Sequence, residues 1–460
     1  MFENILHQPI TKQLAGELRR RCLARALLFS GPPASGKGTA ALELARVLSC
    51  ESETSYGSWN CDCPGCARHR GLVSQDLLLL GQKPFFAEIN ACACAFRREP
   101  ESSGAKHLFL RSVRKLLGRF SPVLWEDDPR LGKLSALIAE LEEDLEFFER
   151  QAEQGLEAAK SIEQVIKTSM KLEAGGMGES IPIAQIRKAA YWSRLAPAGI
   201  HKCVIIENAD RMQEGAKNSL LKILEEPPER VTLILTCSRP GTLLPTILSR
   251  LRQYRFVRRN TEEETEVIRR IFRDRKYAVE PNRDTGAVSS YLDSFLPVDN
   301  RSLYSLGAFF VASIAASVLG PHRTDVSGIT GALVELERFA DSLAEAGGFG
   351  RPAPGTPAGG RPDRGSPPDT GTTLSTVHKG AENFEVPGVF SRFCKNILLL
   401  LSAFLRGGEN SREKTEVALV WKRALGNAVI AEDTYNIRGT LVMERLSGQL
   451  KSALAERCAV

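Results

Sequence analysis

The sequence predicts an α/β domain built on a parallel sheet, followed by a largely helical region. Three observations carry that expectation. First, the buried-strand run Val204-Ile205-Ile206 is followed by a helical stretch from Asn218 to Pro228 and a second apolar strand, Val231 to Leu235. Strand, helix, strand at this spacing is the pattern of parallel β/α units. Second, Ala26 to Ser30 reads as a strand that runs through a glycine-rich loop, Gly31 to Thr39, into a helix from Ala40 to Leu48. Third, the apolar spacing turns helical from Thr261 onward, after the good helix start Thr261-Glu262-Glu263-Glu264.

The 460 residues are enough for roughly two to four domains. A hydrophobic content of 43% and a charged content of 25% are ordinary for a soluble globular chain, and a net charge of +6 permits contact with polyanions without demanding it. Met1 to Gln13 lacks the basic-then-apolar layout of a secretory leader, so a cytoplasmic location is expected. Leu303 to Gly320 is uncharged over 18 residues, the lower limit of a membrane span. Its serines and tyrosine make it only moderately hydrophobic, and a helix buried inside an α-domain explains it without a membrane. Gly347 to Gly380 is too rich in Gly, Pro and Thr to bury a core and reads as a flexible loop.

The loop Gly31 to Thr39 carries the spacing of a phosphate-binding loop. Glycines let backbone N–H groups turn inward around phosphates at a helix N-terminus, and Lys37 reaches the terminal phosphates. Gly31, Gly36, Lys37, Gly38 and Thr39 are therefore candidate contacts for ATP, with Mg²⁺ as its usual companion. The residue after the lysine is normally Ser or Thr, whose hydroxyl ligates the metal; here it is Gly38, and Thr39 points about 100° further around the helix. The GKGT arrangement is similar to that of adenylate kinases, which makes a small-molecule nucleotide kinase an alternative. Cys50, Cys61, Cys63 and Cys66 crowd within 17 residues. In a reducing compartment such a cluster points to tetrahedral Zn²⁺ in preference to disulfides, the alternative being four free thiols, with Cys92 and Cys94 in reserve.

In order, IPIAQIR, HKCVIIENADRM, NSLLKILEEPP, LILTCSRP and PTILSR resemble the clamp-loader ATPase subunits of bacterial DNA polymerase III. The resemblance is strongest to the δ′ subunits, with γ/τ as a near relative. It implies an AAA+ P-loop parallel sheet with a helical lid and an all-α C-terminal collar. The implied domains are 1–258 for nucleotide binding, with a zinc module at 49–67 and a helical insertion at 91–179, then a lid at 259–300 and a collar at 301–460. The implied partners are other clamp-loader subunits in a hetero-pentamer, the sliding clamp, and primer-template DNA through the complex, with no membrane. The family's zinc module usually ends in CxxCxxC, where this chain has CxCxxC.

The resemblance also assigns roles. Val204 to Ile206 corresponds to the strand that ends in an Asp-Glu pair, here Glu207-Asn208. Glu207 remains able to reach a metal ion, but Asn208 cannot accept a proton and cannot act as base. The δ′ subunits are similarly degraded, so little or no ATPase activity of the chain's own is expected; a γ/τ-type motor is the alternative. Thr236-Cys237-Ser238 falls where relatives place a polar sensor of the γ-phosphate. Ser249-Arg250 matches a Ser-Arg-Cys motif, with Leu251 replacing the cysteine, and implies that Arg250 reaches a neighbouring subunit's ATP. The alternative is a solvated basic run of Arg250, Arg252, Arg255, Arg258 and Arg259. Residues 91–179 have no counterpart in the family. Ala91 to Pro122 reads as irregular, and Leu134, Ile138, Leu141, Leu145, Phe148, Ala152, Ala159, Ile162 and Ile166 fall in one heptad register. That register predicts an arm packed on itself, either a hairpin turning at Gly155 or one long helix, and removable without harm to the rest, or else a docking arm for a partner.

Overall fold

Five strands, β1 (Ala26–Ser30), β2 (Leu77–Gly81), β3 (Lys202–Glu207), β4 (Val231–Cys237) and β5 (Arg252–Arg255), form one sheet in the order β2-β3-β4-β1-β5. Every pairing is parallel. The computed structural model describes residues 1–150, 156–178, 180–277, 286–296, 300–320, 328–346, 389–407, 411–435 and 439–458. Ala152, Gly155 and the 347–380 loop lie outside the described residues. Successive strand residues point to opposite faces, and both faces are apolar here. Leu28, Leu78, Leu80, Val204, Ile206, Leu233 and Leu235 join one core, while Leu27, Phe29, Leu79, Ile205 and Ile234 join another. A parallel sheet has to be covered on both sides, and that is why its strands read as unbroken apolar runs.

Helices α1 (Ile10–Arg19) and α2 (Lys37–Leu48) contribute to the second core. The first core is built against α4 (Phe86–Arg98), α5 (Ser103–Leu117), α9 (Ile183–Trp192) and α10 (Glu214–Glu225). The short helix α3 (Pro64–Gly71) sits in the cysteine segment. The expected helix start after residue 260 is a full capping box: the Asn260 side chain accepts from the Glu263 N–H, and the Glu263 carboxylate accepts from the Asn260 N–H.

The inserted segment departs from expectation in two ways. Ala91 to Pro122 is not irregular; it lies in α4, α5, a short turn and the start of α6 (Pro122–Trp125), with the Ser102 hydroxyl accepting from the Ala105 N–H at the start of α5. Ala91, Cys92, Ala93 and Ala95 are all buried, so the run offers no polar contrast from which a helical period could be read. Nor does the heptad stripe close only on itself. In α7 (Leu131–Arg150) and α8 (Leu156–Gly176), residues Leu134, Leu141, Leu145, Phe148, Ile162, Val165 and Leu172 belong to the same core as Leu80, Ile206 and Leu235. Phe148 packs edge-on against Phe96 and Phe109 at 5.3 and 5.2 Å, whereas Ala159 is exposed. Polar ties reinforce this. The Glu173 carboxylate accepts from the backbone N–H groups of Phe85 and Phe86 at 3.1 and 3.0 Å.

The chain divides into two compact units, Met1–Leu296 and Pro297–Val460. Among the described residues the second unit is wholly helical: Asn300–Leu319, Gly328–Ala346, Val389–Arg406, Arg412–Tyr435 and Gly439–Cys458. The uncharged stretch lies in the first of these. Its window Ser302–Leu319 is 67% buried, with Phe310 packed edge-on against Phe393 and Trp421 at 5.7 and 6.0 Å. Packing against neighbouring helices accounts for its composition.

Two expectations follow from how the insertion is tied in. Replacing residues 95–176 by a short flexible linker should give a chain that aggregates or loses cooperative unfolding. The deletion strips the α5, α7 and α8 side chains from the first core and removes Arg119 from its buried ion pair with Glu207, a change that costs about 3–5 kcal/mol by itself. A soluble, cooperatively unfolding deletion protein in circular dichroism melts would refute it. The second concerns Glu173, whose burial raises its pKa from the ordinary 4.5 to about 7. A raised carboxyl pKa means the fold holds the proton more tightly than the unfolded chain does. Stability from this group is therefore complete below pH 4.5 and fades as pH climbs through about 7. Glu173→Gln should accordingly flatten the fall in melting temperature between pH 6 and pH 8 by about 2–4 °C; an unchanged slope would show that Glu173 is not what titrates.

Candidate functional site

The glycine-rich loop sits between β1 and α2, at the end of the sheet where parallel strands deliver their C-termini. Gly36 caps α2 in a left-handed conformation, φ +93°, which a residue with a Cβ adopts only under strain. Lys37 is buried and turned into its own loop, donating to the carbonyls of Gly31 and Pro32 at 2.7 and 2.5 Å and to the Ser35 hydroxyl at 3.4 Å. Burial lowers its pKa to about 8. Thr39 is exposed on the outer side of α2, as its position in the helix requires.

Opposite the loop, Glu207 ends β3. Its carboxylate is bound by the guanidinium of Arg119, and its other oxygen lies over Gly38, where a Cβ would stand 2.2 Å away. Burial opposes ionisation of Glu207, but Arg119, Lys83 and Lys115 outweigh it and hold its pKa below the usual range. Asn208 has φ +52°; its side-chain amide donates to the Gln82 carbonyl at 3.0 Å, and its backbone N–H donates to the Thr236 hydroxyl at 3.3 Å. Of the polar residues at the end of β4, Thr236 is thus the one turned toward Asn208. These residues do not fit a P-loop magnesium site. Gly38 has no hydroxyl, Glu207 is engaged by a cation of its own chain, and Asn208 carries no charge.

Three side chains at the site lay outside the sequence reading. Arg119 is fully buried, donates to the Leu80 carbonyl and lies 5.5 Å over the Phe85 ring. Lys83 and Lys115 both bind the Glu88 carboxylate. Arg259, grouped by sequence with a solvated basic run, is instead buried: its Nε donates to the Leu6 carbonyl at 2.9 Å and its Nη1 to the Ala34 carbonyl of the glycine-rich loop at 3.0 Å. Gln8 pairs both ways with the backbone of Val257 at 2.9 Å, which fixes the N-terminal segment beside this loop.

The four cysteines converge. Cys50, Cys61, Cys63 and Cys66 place their sulfurs within 4.8 Å of one another, with Cys50 to Cys61 at 3.8 Å and Cys50 to Cys63 at 4.0 Å. A tetrahedron of Zn–S bonds of ~2.3 Å has edges of about 3.8 Å, so the donor set and its spacing fit Zn²⁺. The shortened CxCxxC spacing keeps both Cys61 and Cys63 in the cluster because Cys63 is the N-cap of α3, where its sulfur accepts from the Cys66 N–H at 3.4 Å. Further donors surround the sulfurs. The Gly57 N–H reaches Cys50 and the Glu51 N–H reaches Cys63, both at 3.4 Å, and Arg46 Nη1 reaches Cys66 at 3.0 Å. A hydrogen bond from Ser55 is the main influence drawing the Cys61 thiol down to about 6, while burial pushes Cys66 up. Arg46 is itself buried, paired with Glu43 at 2.7 Å and bound to the Gly57 and Ser58 carbonyls. It joins the cysteine loop to α2, and the sequence reading missed it.

Arg250 lies on the surface after α11 (Pro245–Leu248). Its guanidinium donates to the Thr246 carbonyl at 2.8 Å and pairs with Glu225 at 2.8 Å, the side chains 34% and 52% exposed. Glu225 is the first glutamate of LEEPP, so the two motifs that stood out in the sequence meet in one exposed contact.

Elemental analysis of freshly purified protein should find close to one zinc per chain, and Cys66→Ser should lose the metal and the cooperative melt together, since structural zinc contributes folding free energy directly. Metal content near zero with the fold intact would exclude the site.

Residues 136–260 match a family model described as DNA polymerase III, delta subunit. A DNA polymerase III subunit delta' of Yersinia pestis is 44% identical over 55 residues, 12% of this chain and 16% of that protein. The delta' subunit of Bacillus subtilis (strain 168) is 42% identical over 76 residues, 16% of this chain and 22% of that protein. A DNA polymerase III subunit gamma/tau of Mycobacterium bovis is 31% identical over 87 residues, 19% of this chain and 15% of that protein. The match therefore spans less than a quarter of the length of each of these relatives. A DNA polymerase III gamma subunit-related protein of Thermotoga maritima aligns over 68% of this chain and 99% of its own, at 17% identity and a TM-score of 0.28, a likeness too slight to build on. Where the chain does match, it is similar to the DNA polymerase III clamp-loader subunits of the delta' and gamma/tau kinds.

Proposed function

We propose that this protein is a δ′-like subunit of a sliding-clamp loader, working by position more than by its own turnover. The observation that carries the reading is the exposed contact of Arg250 with Glu225, which joins the two most specific motifs of the matched stretch. An exposed ion pair is worth only about 0–1 kcal/mol, so Arg250 is free to exchange Glu225 for a neighbour's phosphates. A planar guanidinium offered in trans neutralises charge on a transferring phosphoryl group, worth ~10³–10⁵ in rate in comparable GTPases. Within a hetero-pentamer the chain would complete an adjoining subunit's ATP site, with the zinc loop holding the N-terminal domain rigid and the helical second unit acting as collar. The sliding clamp and primer-template DNA are the substrates of the whole assembly. A γ/τ-type motor finds less support, because Glu207 is already paired with Arg119 and Asn208 is no base.

The test is the ATPase of a reconstituted loader stimulated by clamp and primed DNA. Arg250→Ala should assemble normally yet cut that rate by at least about tenfold, other sites diluting the full effect. Arg250→Lys should recover little, since an ammonium lacks the planar fork. Arg258→Ala controls for general loss of charge, and the chain alone should hydrolyse no ATP in the same assay. Equal harmlessness of Arg250→Ala and Arg258→Ala would refute the trans role.

A further inference from the structure

Gly38 looks like a simple loss of a metal-binding hydroxyl, but the space above it is filled. A Cβ on Gly38 would stand 2.2 Å from Glu207 Oε1, while Oε2 of the same carboxylate is bound by Arg119 Nη2. Arg119 comes from neither the loop nor the sheet. It lies in the inserted segment after α5, fully buried, with Nη1 on the Leu80 carbonyl and its plane over the Phe85 ring. Lys83 and Lys115 are committed to Glu88 and the Asn208 amide to Gln82, while Asp210, whose charge acts on Lys37, keeps one buried oxygen without a hydrogen bond.

We propose that Arg119 takes the place of the divalent cation at this phosphate loop. Mg²⁺ requires oxygen ligands at about 2.0–2.1 Å in near-octahedral geometry. Glu207 can offer its oxygen only by abandoning Arg119, which would strand a guanidinium in the core. The glycine, the glutamate and the inserted arginine thus form one device: Gly38 gives the carboxylate room, and Arg119 neutralises it permanently. The loop is closed to divalent metal, and any nucleoside polyphosphate it accepts is the metal-free anion. This concerns the loop's own chemistry and stands or falls independently of membership in a clamp loader.

Two measurements on the full chain test it. Paramagnetic resonance of Mn²⁺ with ADP should show no metal held by the protein beyond that held by free ADP. A fluorescent ADP analogue should likewise show no gain in affinity from Mg²⁺ over EDTA. Protein-held Mn²⁺, or an affinity about tenfold tighter with Mg²⁺, would overturn the proposal. Independently, Gly38→Ala should lower the melting temperature by about 2–4 °C or more, because the new Cβ meets Glu207. In an Arg119→Leu/Glu207→Ala background, where neither charge is left alone, the same substitution should be neutral or stabilising, as alanine is in a helix. An equal loss in both backgrounds would overturn the coupling of Gly38 to the pair. If the double variant does not fold, the two metal measurements still decide the matter.

Discussion

The ion pair between Arg119 and Glu207 is the constraint on which the first unit is arranged. Burying a guanidinium and a carboxylate costs more in lost hydration than it returns unless the geometry and the remaining hydrogen bonds are good, so such a pair is weak evidence of stability but strong evidence of specified position. Here one cation has to meet Glu207 at the end of β3, the Leu80 carbonyl on β2 and the face of Phe85 at once. The indole of Trp125 then donates to the Arg119 carbonyl at 2.7 Å, locking the turn that carries the guanidinium. The insertion is thereby part of the domain's core, and, against the expectation that all of 91–179 lacks a counterpart in the family, its part from residue 136 onward falls within the stretch that matches the family model.

A second constraint acts at the other end of the same loop's helix. α2 begins at Lys37, in the glycine-rich loop, and carries Arg46 near its C-terminus, where the guanidinium binds Glu43, two loop carbonyls and the sulfur of Cys66. Four sulfur donors around one centre would leave a bound metal no open coordination position, so the chemistry such an ion would supply is cross-linking rather than catalysis. The segment around the cysteines has few apolar residues of its own to bury, and Arg46 ties it to α2 through Glu43, two loop carbonyls and Cys66.

What could be read in the sequence follows from range. Strands β1, β3 and β4 were legible because a sheet covered on both faces leaves continuous apolar runs, and the helix after Asn260 because its cap is local. The cysteine cluster was legible from spacing and residue type. The heptad register misled because it counts apolar repeats without saying what covers them, and in the fold they face α4 and α5 as well as each other. Arg119, Arg259 and Arg46 were illegible for a different reason. Arg119 meets Glu207 across 88 residues and Arg259 meets Leu6 across 253, so no window of sequence holds both partners. Arg46 has Glu43 close by, but its role depends on a loop whose path the cysteines set.

The two arginines that matter most differ in a way that bears on what each can do. Arg119 is buried and paired with Glu207, so releasing it would leave a guanidinium charge in the core. Arg250 shares the surface with Glu225, and both side chains keep a third or more of their area in solvent. Water compensates either partner when that contact opens, and the exchange is therefore nearly free. A cation meant for its own chain gains from being locked in; a cation meant for another molecule has to be releasable. By that criterion the two arginines are suited to opposite roles: Arg119 fixes positive charge inward against Glu207, and Arg250, paired with Glu225 at the surface, keeps its charge where it can be released, as the proposed trans role requires.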